Sequence, residues 1–281
     1  NTGAKGNRMQ NEIGIAGWLF SAEILREKTL TQLELPGIFA SLGVKTVELC
    51  SAFFESQDTR YLNDLRGRLE DNGLSVQNIA VDMGNIAGAD AATRRTDIEG
   101  LKQWFYTASA IGSAAIRINT GNADDDGALE RVIEGYRELA AVGEQAGVRL
   151  LMENHGGISA HPDDMRRIFD GVSSDNFGGC PDTANFAPEH WQNGMLTLAP
   201  RAFSAHVKVH SYDDDGTQRR VNQRTGEEVS YNLRTGLEIL RDAGYEGPIC
   251  IEGAVPATEG GLQSTGFATT REYVERMMAS V

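Results

Sequence analysis

The chain is poor in cysteine, has no histidine before residue 155, carries no long apolar run and is short of positive charge. Its three cysteines, Cys50, Cys180 and Cys250, are too few and too widely spaced for a disulfide scaffold. Each lies in or beside a strand-like apolar run (VELC, FGGC, PICIE), which reads as a buried thiol in a reducing compartment. None sits in a Cys-His-Asn pattern, and none has the spacing of a structural zinc site. Apolar stretches are strand-sized and fall short of the ~20 residues that a membrane span requires. With 26 basic against 40 acidic residues the formal net charge is −14. That balance repels nucleic acid and anionic membranes, because every phosphate contact needs a cation. A local Arg or Lys could still bind a phosphorylated small molecule.

The first twelve residues, NTGAKGNRMQNE, are polar and contain no hydrophobic signal core. A cytoplasmic location is the expectation, although a chain that does not begin with Met is compatible with a removed export signal. Residues 1–11 read as a flexible polar extension and 12–281 as one domain, since no Pro/Ser-rich linker or low-complexity tract interrupts the rest.

Eight β-branched, apolar runs recur along that domain: 13–17, 44–50, 74–81, 114–120, 148–154, 177–182, 203–210 and 248–253. They alternate with segments of helical period, 59–71, 96–110, 127–145 and 232–243, whose apolar residues return every three or four positions. Gly43, Gly73, Gly112, Gly147 and Gly244 each stand just ahead of a run, where a left-handed residue closes one helix before the next strand begins. Repeated strand–helix units over 281 residues predict a single (β/α)8 barrel, a fold of ~250 residues. The polar insertion 211–232 predicts a loop or small hairpin on the active face. The Asp-Asp-Asp runs at 124–126 and 213–215 read as solvated turns.

In such a barrel the reactive groups stand at the C-terminal ends of the strands. The last four runs deliver Glu153, Asp182, His206 and Glu252 there. Three converging carboxylates would repel one another, so a bound cation is the natural compensation. Three carboxylates with one imidazole form a hard, oxygen-rich set, suited to Mn²⁺ first, with Mg²⁺ or Co²⁺ as alternatives. His206, Lys208 and His210 share one face of the seventh run by its period of two. Lys208 could hold a carbonyl or phosphate oxygen or pair with Glu252 or Glu153. Arg117, charged inside an apolar run, needs a partner such as Glu48 or Glu153 and could bind substrate. His155, Asn185, Glu48 and His210 are further candidates to contact substrate at the mouth, and Trp18 with Phe53 could form an apolar wall against a sugar ring. His161, ahead of Pro162, reads as a capping or surface residue, and His190 as a residue able to reach the mouth.

The segments VELCSAFFE, ENHGG, GGCPDTANF, AHVK and ICIEG resemble the xylose isomerase-like TIM-barrel superfamily, which includes sugar isomerases and epimerases such as D-tagatose 3-epimerase. The resemblance spans roughly residues 12–280. It implies metal ligation by Glu153, Asp182, His206 and Glu252, and proton transfer by Glu153 and Glu252 next to the carbonyl of a ketose or related polyol. It also implies a small-molecule sugar partner and a possible homodimer. Two departures stand out: HVKV replaces the HxKD common in the seventh strand, and Asn185 replaces a His often found three residues after the metal Asp. Asn binds a hydroxyl but cannot act as a base. A lyase or dehydratase of a keto-sugar, keto-glycoside or keto-acid is the alternative reading. A non-catalytic sugar-binding barrel is a lesser one, as is an apurinic-site endonuclease, whose zinc cluster needs histidines in early strands and a basic groove.

Overall fold

Apolar runs bounded by glycine turns become the eight parallel strands of the barrel in a computed structural model that describes residues 9–221, 226, 228–256 and 265–281. The first seven are β1 (Ile13–Ala16), β2 (Thr46–Cys50), β3 (Ser75–Val81), β4 (Ala115–Ile118), β5 (Arg149–Glu153), β6 (Phe177–Cys180) and β7 (Ala205–Lys208). After a small antiparallel hairpin, β8 (Thr217–Val221) with β9 (Glu228–Asn232), the eighth barrel strand is β10 (Ile249–Gly253). Hydrogen bonding runs β6-β5-β4-β3-β2-β1-β10-β7, all parallel. The remaining seam, β6 against β7, is joined by single bridges at Gly179–Ala202 and Asp182–His206. There Phe203 N donates to Gly179 O (2.9 Å), His206 N to Pro181 O (2.9 Å) and Thr183 N to His206 O (3.1 Å).

Among the described residues, eight α-helices pack outside this sheet: α1 (Leu35–Ser41), α2 (Thr59–Asp71), α3 (Ala91–Ile111), α4 (Ala128–Ala146), α5 (Pro162–Val172), α6 (Pro188–Leu198), α7 (Leu233–Asp242) and α8 (Phe267–Ala279). The periodic segments correspond to α2, α3, α4 and α7. Helix α3 begins five residues ahead of its periodic stripe because Asp90 caps it, accepting the Thr93 amide at 2.8 Å. All five glycines ahead of the strands have positive φ, between 65° and 77°, as their capping role demands. Helices α1, α5, α6 and α8 are not among the segments expected from periodicity. Of these, α5 and α6 open on Pro, which fits a first helical turn where no N–H is needed.

The main apolar core fills the space between sheet and helices, while Ala115, Leu151 and Cys180 with Phe203 form a separate small cluster. Ala115 and Leu151 share strand faces with Arg117 and Glu153, two residues onward, so this cluster packs inside the barrel beneath those charges. The insertion at 211–232 does form a hairpin, apart from residues 222–225 and 227, which lie outside the described residues. It docks at the mouth, with Tyr231 Oη donating to Lys208 O (2.7 Å) and Arg220 Nη2 to Ala184 O (3.0 Å). Residues 1–8 of the expected N-terminal extension also lie outside the described residues. Among the described residues, no helix is long and apolar enough to cross a membrane.

Two Gly→Ala substitutions should have opposite signs. At Gly143 in α4 a methyl group would fall 2.5 Å from Val148 O and 2.6 Å from Phe105 Cε1, so Gly143→Ala is expected to cost about 1–3 kcal/mol. At Gly67 in α2 nothing lies within 4 Å, and Gly67→Ala should add roughly 0.5–1 kcal/mol. Urea denaturation of both variants measures this; a stabilised Gly143→Ala would contradict the packing of α4 on the barrel.

Candidate active site

Glu153 ends β5, Asp182 follows β6 by two residues, His206 lies within β7 and Glu252 near the end of β10. One ligand-type atom from each lies within 4.8 Å of the other three, and all four residues are buried. The backbone aims them. Strands β10 and β7 slip register between Ile251 and Gly253, which makes Glu252 the extra residue of a bulge, a device that redirects a side chain at a strand end. Asn154 clamps Asp182 from both sides, its Nδ2 donating to Asp182 O (2.9 Å) and its Oδ1 accepting from Asp182 N (2.8 Å). The Asp182–His206 bridge across the barrel seam then fixes these two residues against each other.

Positive charge is threaded between the carboxylates. Arg117, buried on β4, places Nε 2.9 Å from Glu153 Oε2 and pairs through Nη1 with Asp82. Lys208 Nζ lies 2.8 Å from Asp182 Oδ2 and 3.0 Å from Glu252 Oε2. It also donates to Asn185 Oδ1 at 2.9 Å, and Asn185 Nδ2 donates to Glu153 Oε1 at 3.0 Å. His206 turns Nδ1 toward the cluster, 3.3 Å from Glu153 Oε1 and 3.4 Å from Glu252 Oε2. Burial by itself raises each carboxyl. Against it, the Arg117 guanidinium and then His206 hold Glu153 well below the usual carboxylate range, and Lys208 with His206 draws Glu252 down to about 2. Asp182 goes the other way: burial, with repulsion from Glu153 and Glu252, pushes it up to about 6 in spite of Lys208.

These cations do not satisfy the oxygens they approach. Glu153 Oε2, Asp182 Oδ2 and Glu252 Oε2 are buried without an aligned hydrogen-bond donor. Three buried carboxylates converging on one imidazole nitrogen fit a hard divalent ion such as Mg²⁺, Mn²⁺ or Co²⁺.

A cavity of about 420 Å³ opens beside the cluster. Of the residues expected at the mouth, Trp18, Arg117, His155 and Lys208 line it, together with Glu252. The Trp18 ring, 40% exposed, stacks on buried Phe53 with centroids 6.0 Å apart and planes at 1°. Asn185 bridges Glu153 and Lys208 from the side. Glu48 and His210, expected to contact substrate, do not line the cavity. Glu48 is buried beneath it, with its oxygens taken by Ser204 and His206. His210 stands past β7 with its ring edge-on to Tyr231 of the hairpin, its pKa lowered to about 4 by burial and then by Arg220 and Lys208. His161 is exposed, makes no side-chain cap to α5 and packs its ring against His190 at 5.2 Å. Asp82 and Asn119, which are not among the sequence candidates, line the cavity, and Asn119 Nδ2 donates to Asp82 Oδ1 at 3.0 Å. They follow the apolar runs of β3 and β4 just as Glu153 ends that of β5, so the same strand-end rule could have found them.

The family described as xylose isomerase-like TIM barrel matches residues 37–273. The chain belongs to that family. Its sequence has no significant match among curated proteins. Among solved structures it is similar to a xylose isomerase-like TIM-barrel protein from Mycobacterium smegmatis in complex with magnesium, at 18% identity and TM-score 0.67, covering 96% of this chain and 97% of that one. It is also similar to D-psicose 3-epimerase from Clostridium cellulolyticum H10 with D-tagatose (17%, TM-score 0.66, 96% of each chain). A third similar structure is 3-keto-D-glucoside 4-epimerase from E. coli (14%, TM-score 0.68, 95% of this chain and 99% of that one). Identities this low establish a shared fold. In this xylose isomerase-like barrel, the four converging residues stand on the last four barrel strands or just beyond them.

Arg117 tests the electrostatic account. Arg117→Met leaves the Glu153 carboxylate in a dry site without its guanidinium, and the expected loss is about 3–5 kcal/mol in chemical denaturation. A variant as stable as the wild type would show that Glu153 does not depend on that ion pair.

Proposed function

We propose that the protein is a divalent-metal-dependent epimerase or isomerase of a ketose or related polyol. The observation that carries this reading is the set of three buried carboxylates and one imidazole converging beside a polar cavity in the barrel mouth. The names of the similar epimerases support it, as does the magnesium in one of the similar structures. Glu153, Asp182, His206 and Glu252 would hold the ion, with Mn²⁺ the first choice. When bound, the ion supplies positive charge where negative charge builds on the substrate oxygen, which acidifies the neighbouring C–H.

The protein's own groups do the rest. Glu153 and Glu252 are both held ionised, the first by Arg117 and the second by Lys208, so each can accept a proton at neutral pH. One takes the proton from the carbon next to the carbonyl and passes it to water; the other takes up a proton from water at the cavity and delivers it to the opposite face, inverting the centre. Lys208 and Arg117 orient the carbonyl end, and Asn185 and His155 bind hydroxyls. Trp18 offers an apolar ring against the C–H face of a sugar.

Incubation of Mn²⁺-loaded protein with candidate ketoses and keto-glycosides in D₂O, followed by NMR, tests the proposal. Deuterium is expected at the carbon beside the carbonyl, with the rate falling by about 10²–10⁴ in Glu153→Gln and in Glu252→Gln. Full turnover by either variant refutes the two-carboxylate scheme. Loss of a β-leaving group instead of exchange would identify a lyase.

A further inference from the structure

Glu48 lies on β2, remote in sequence from the four-residue cluster, and is 1% exposed. Its Oε2 meets His206 Nε2 at 2.5 Å, and its Oε1 accepts from Ser204 Oγ at 2.5 Å. The opposite ring nitrogen, His206 Nδ1, is the one that faces Glu153, Glu252 and, at 4.0 Å, Asp182. One imidazole thus joins two carboxylate environments, one on each side of its ring.

A carboxylate accepts hydrogen bonds and donates none, so the His206 nitrogen beside Glu48 must carry a proton. A neutral imidazole has a single N–H. In the neutral ring that a metal ligand requires, the proton on Nε2 therefore leaves Nδ1 as a bare lone pair, directed at the carboxylates of Glu153, Glu252 and Asp182. We propose that Glu48 is a positioning residue, which with Ser204 fixes His206 as the Nε2–H tautomer and presents Nδ1 to the cation. The proposal rests on the metal reading above and goes beyond it, because Glu48 neither lines the cavity nor belongs to the four-residue cluster.

The surroundings of Glu48 favour this role over a second ion site. Glu48, Cys180 and His206 do bring ligand atoms within 4.8 Å of one another. However, both Glu48 oxygens and His206 Nε2 are already engaged by one another and by Ser204. Buried thiols such as Cys180 and Cys250 hold their protons and present neutral surfaces to the carboxylate. A dry hydrogen-bonded chain from hydroxyl to carboxylate to imidazole sets ring orientation firmly, since any rotation would bury an unpaired charge.

Mn²⁺ binding, followed by the EPR signal of the free ion, and ¹⁵N NMR of histidine-labelled, Mg²⁺-loaded wild type test the proposal together. The wild type is expected to bind Mn²⁺ and to show His206 protonated on Nε2. Glu48→Ala should bind Mn²⁺ about 10–100-fold more weakly. Glu48→Gln, whose amide oxygen can still accept from Nε2, should restore most of that loss. Wild-type affinity in Glu48→Ala, or a proton on Nδ1 in the Mg²⁺-loaded wild type, overturns the proposal while leaving the metal reading intact. Absence of Mn²⁺ binding in the wild type overturns both. If Glu48→Ala does not fold, the wild-type tautomer and the affinity of Glu48→Gln decide the matter: a proton on Nδ1, or a Gln variant weakened about 100-fold or more, counts against it.

Discussion

Negative charge that cannot reach water governs this molecule. Two like charges 4 Å apart repel by about 4 kcal/mol at the effective dielectric of a protein interior, and Glu153, Asp182 and Glu252 are drawn closely together out of solvent. The barrel answers with one fixed cation for each flank, Arg117 from β4 and Lys208 from β7, and with an imidazole between them. Neither cation aligns with the oxygens that point inward, so the compensation is incomplete at the centre.

Much of this is legible in the amino-acid sequence, for a physical reason. Strands covered on both faces must be apolar throughout, so all eight barrel strands fall inside the apolar runs. A charged residue at the end of such a run is conspicuous, which is why Glu153, Asp182, His206 and Glu252 stand out from sequence alone. Helices α2, α3, α4 and α7 carry clear periodic stripes. The seven residues of α1 give too few repeats to separate a helix from a loop, whereas α5 and α6, no shorter than α7, open on Pro, which reads first as a break. The hairpin within 211–232 is marked by its turn residues.

What the sequence hides are the pairings across the barrel. Ser204 and Glu48 are 156 positions apart, and Glu48 and His206 are 158 apart. No local period or motif encodes such a meeting, so Glu48 reads as a residue at the mouth, whereas it lies buried against Ser204 and His206 and does not line the cavity. Arg117 inside an apolar strand announces its need for a buried acid. That the acid is Glu153 rather than Glu48, with Asp82 as an unforeseen second partner, follows from geometry that only the closed barrel supplies.

The seam between β6 and β7 has a consequence for how the whole barrel holds together. Seven of the eight strand junctions are hydrogen-bonded ladders, whereas this one rests on two isolated bridges, and one of them is Asp182–His206. Any guest that grips Asp182 on one side and His206 on the other acts as a clasp on the loosest joint of a hoop. Because it recognises only the closed hoop, its binding energy adds to the work of opening it. In this architecture the proposed site and the closure of the cylinder share one fastening.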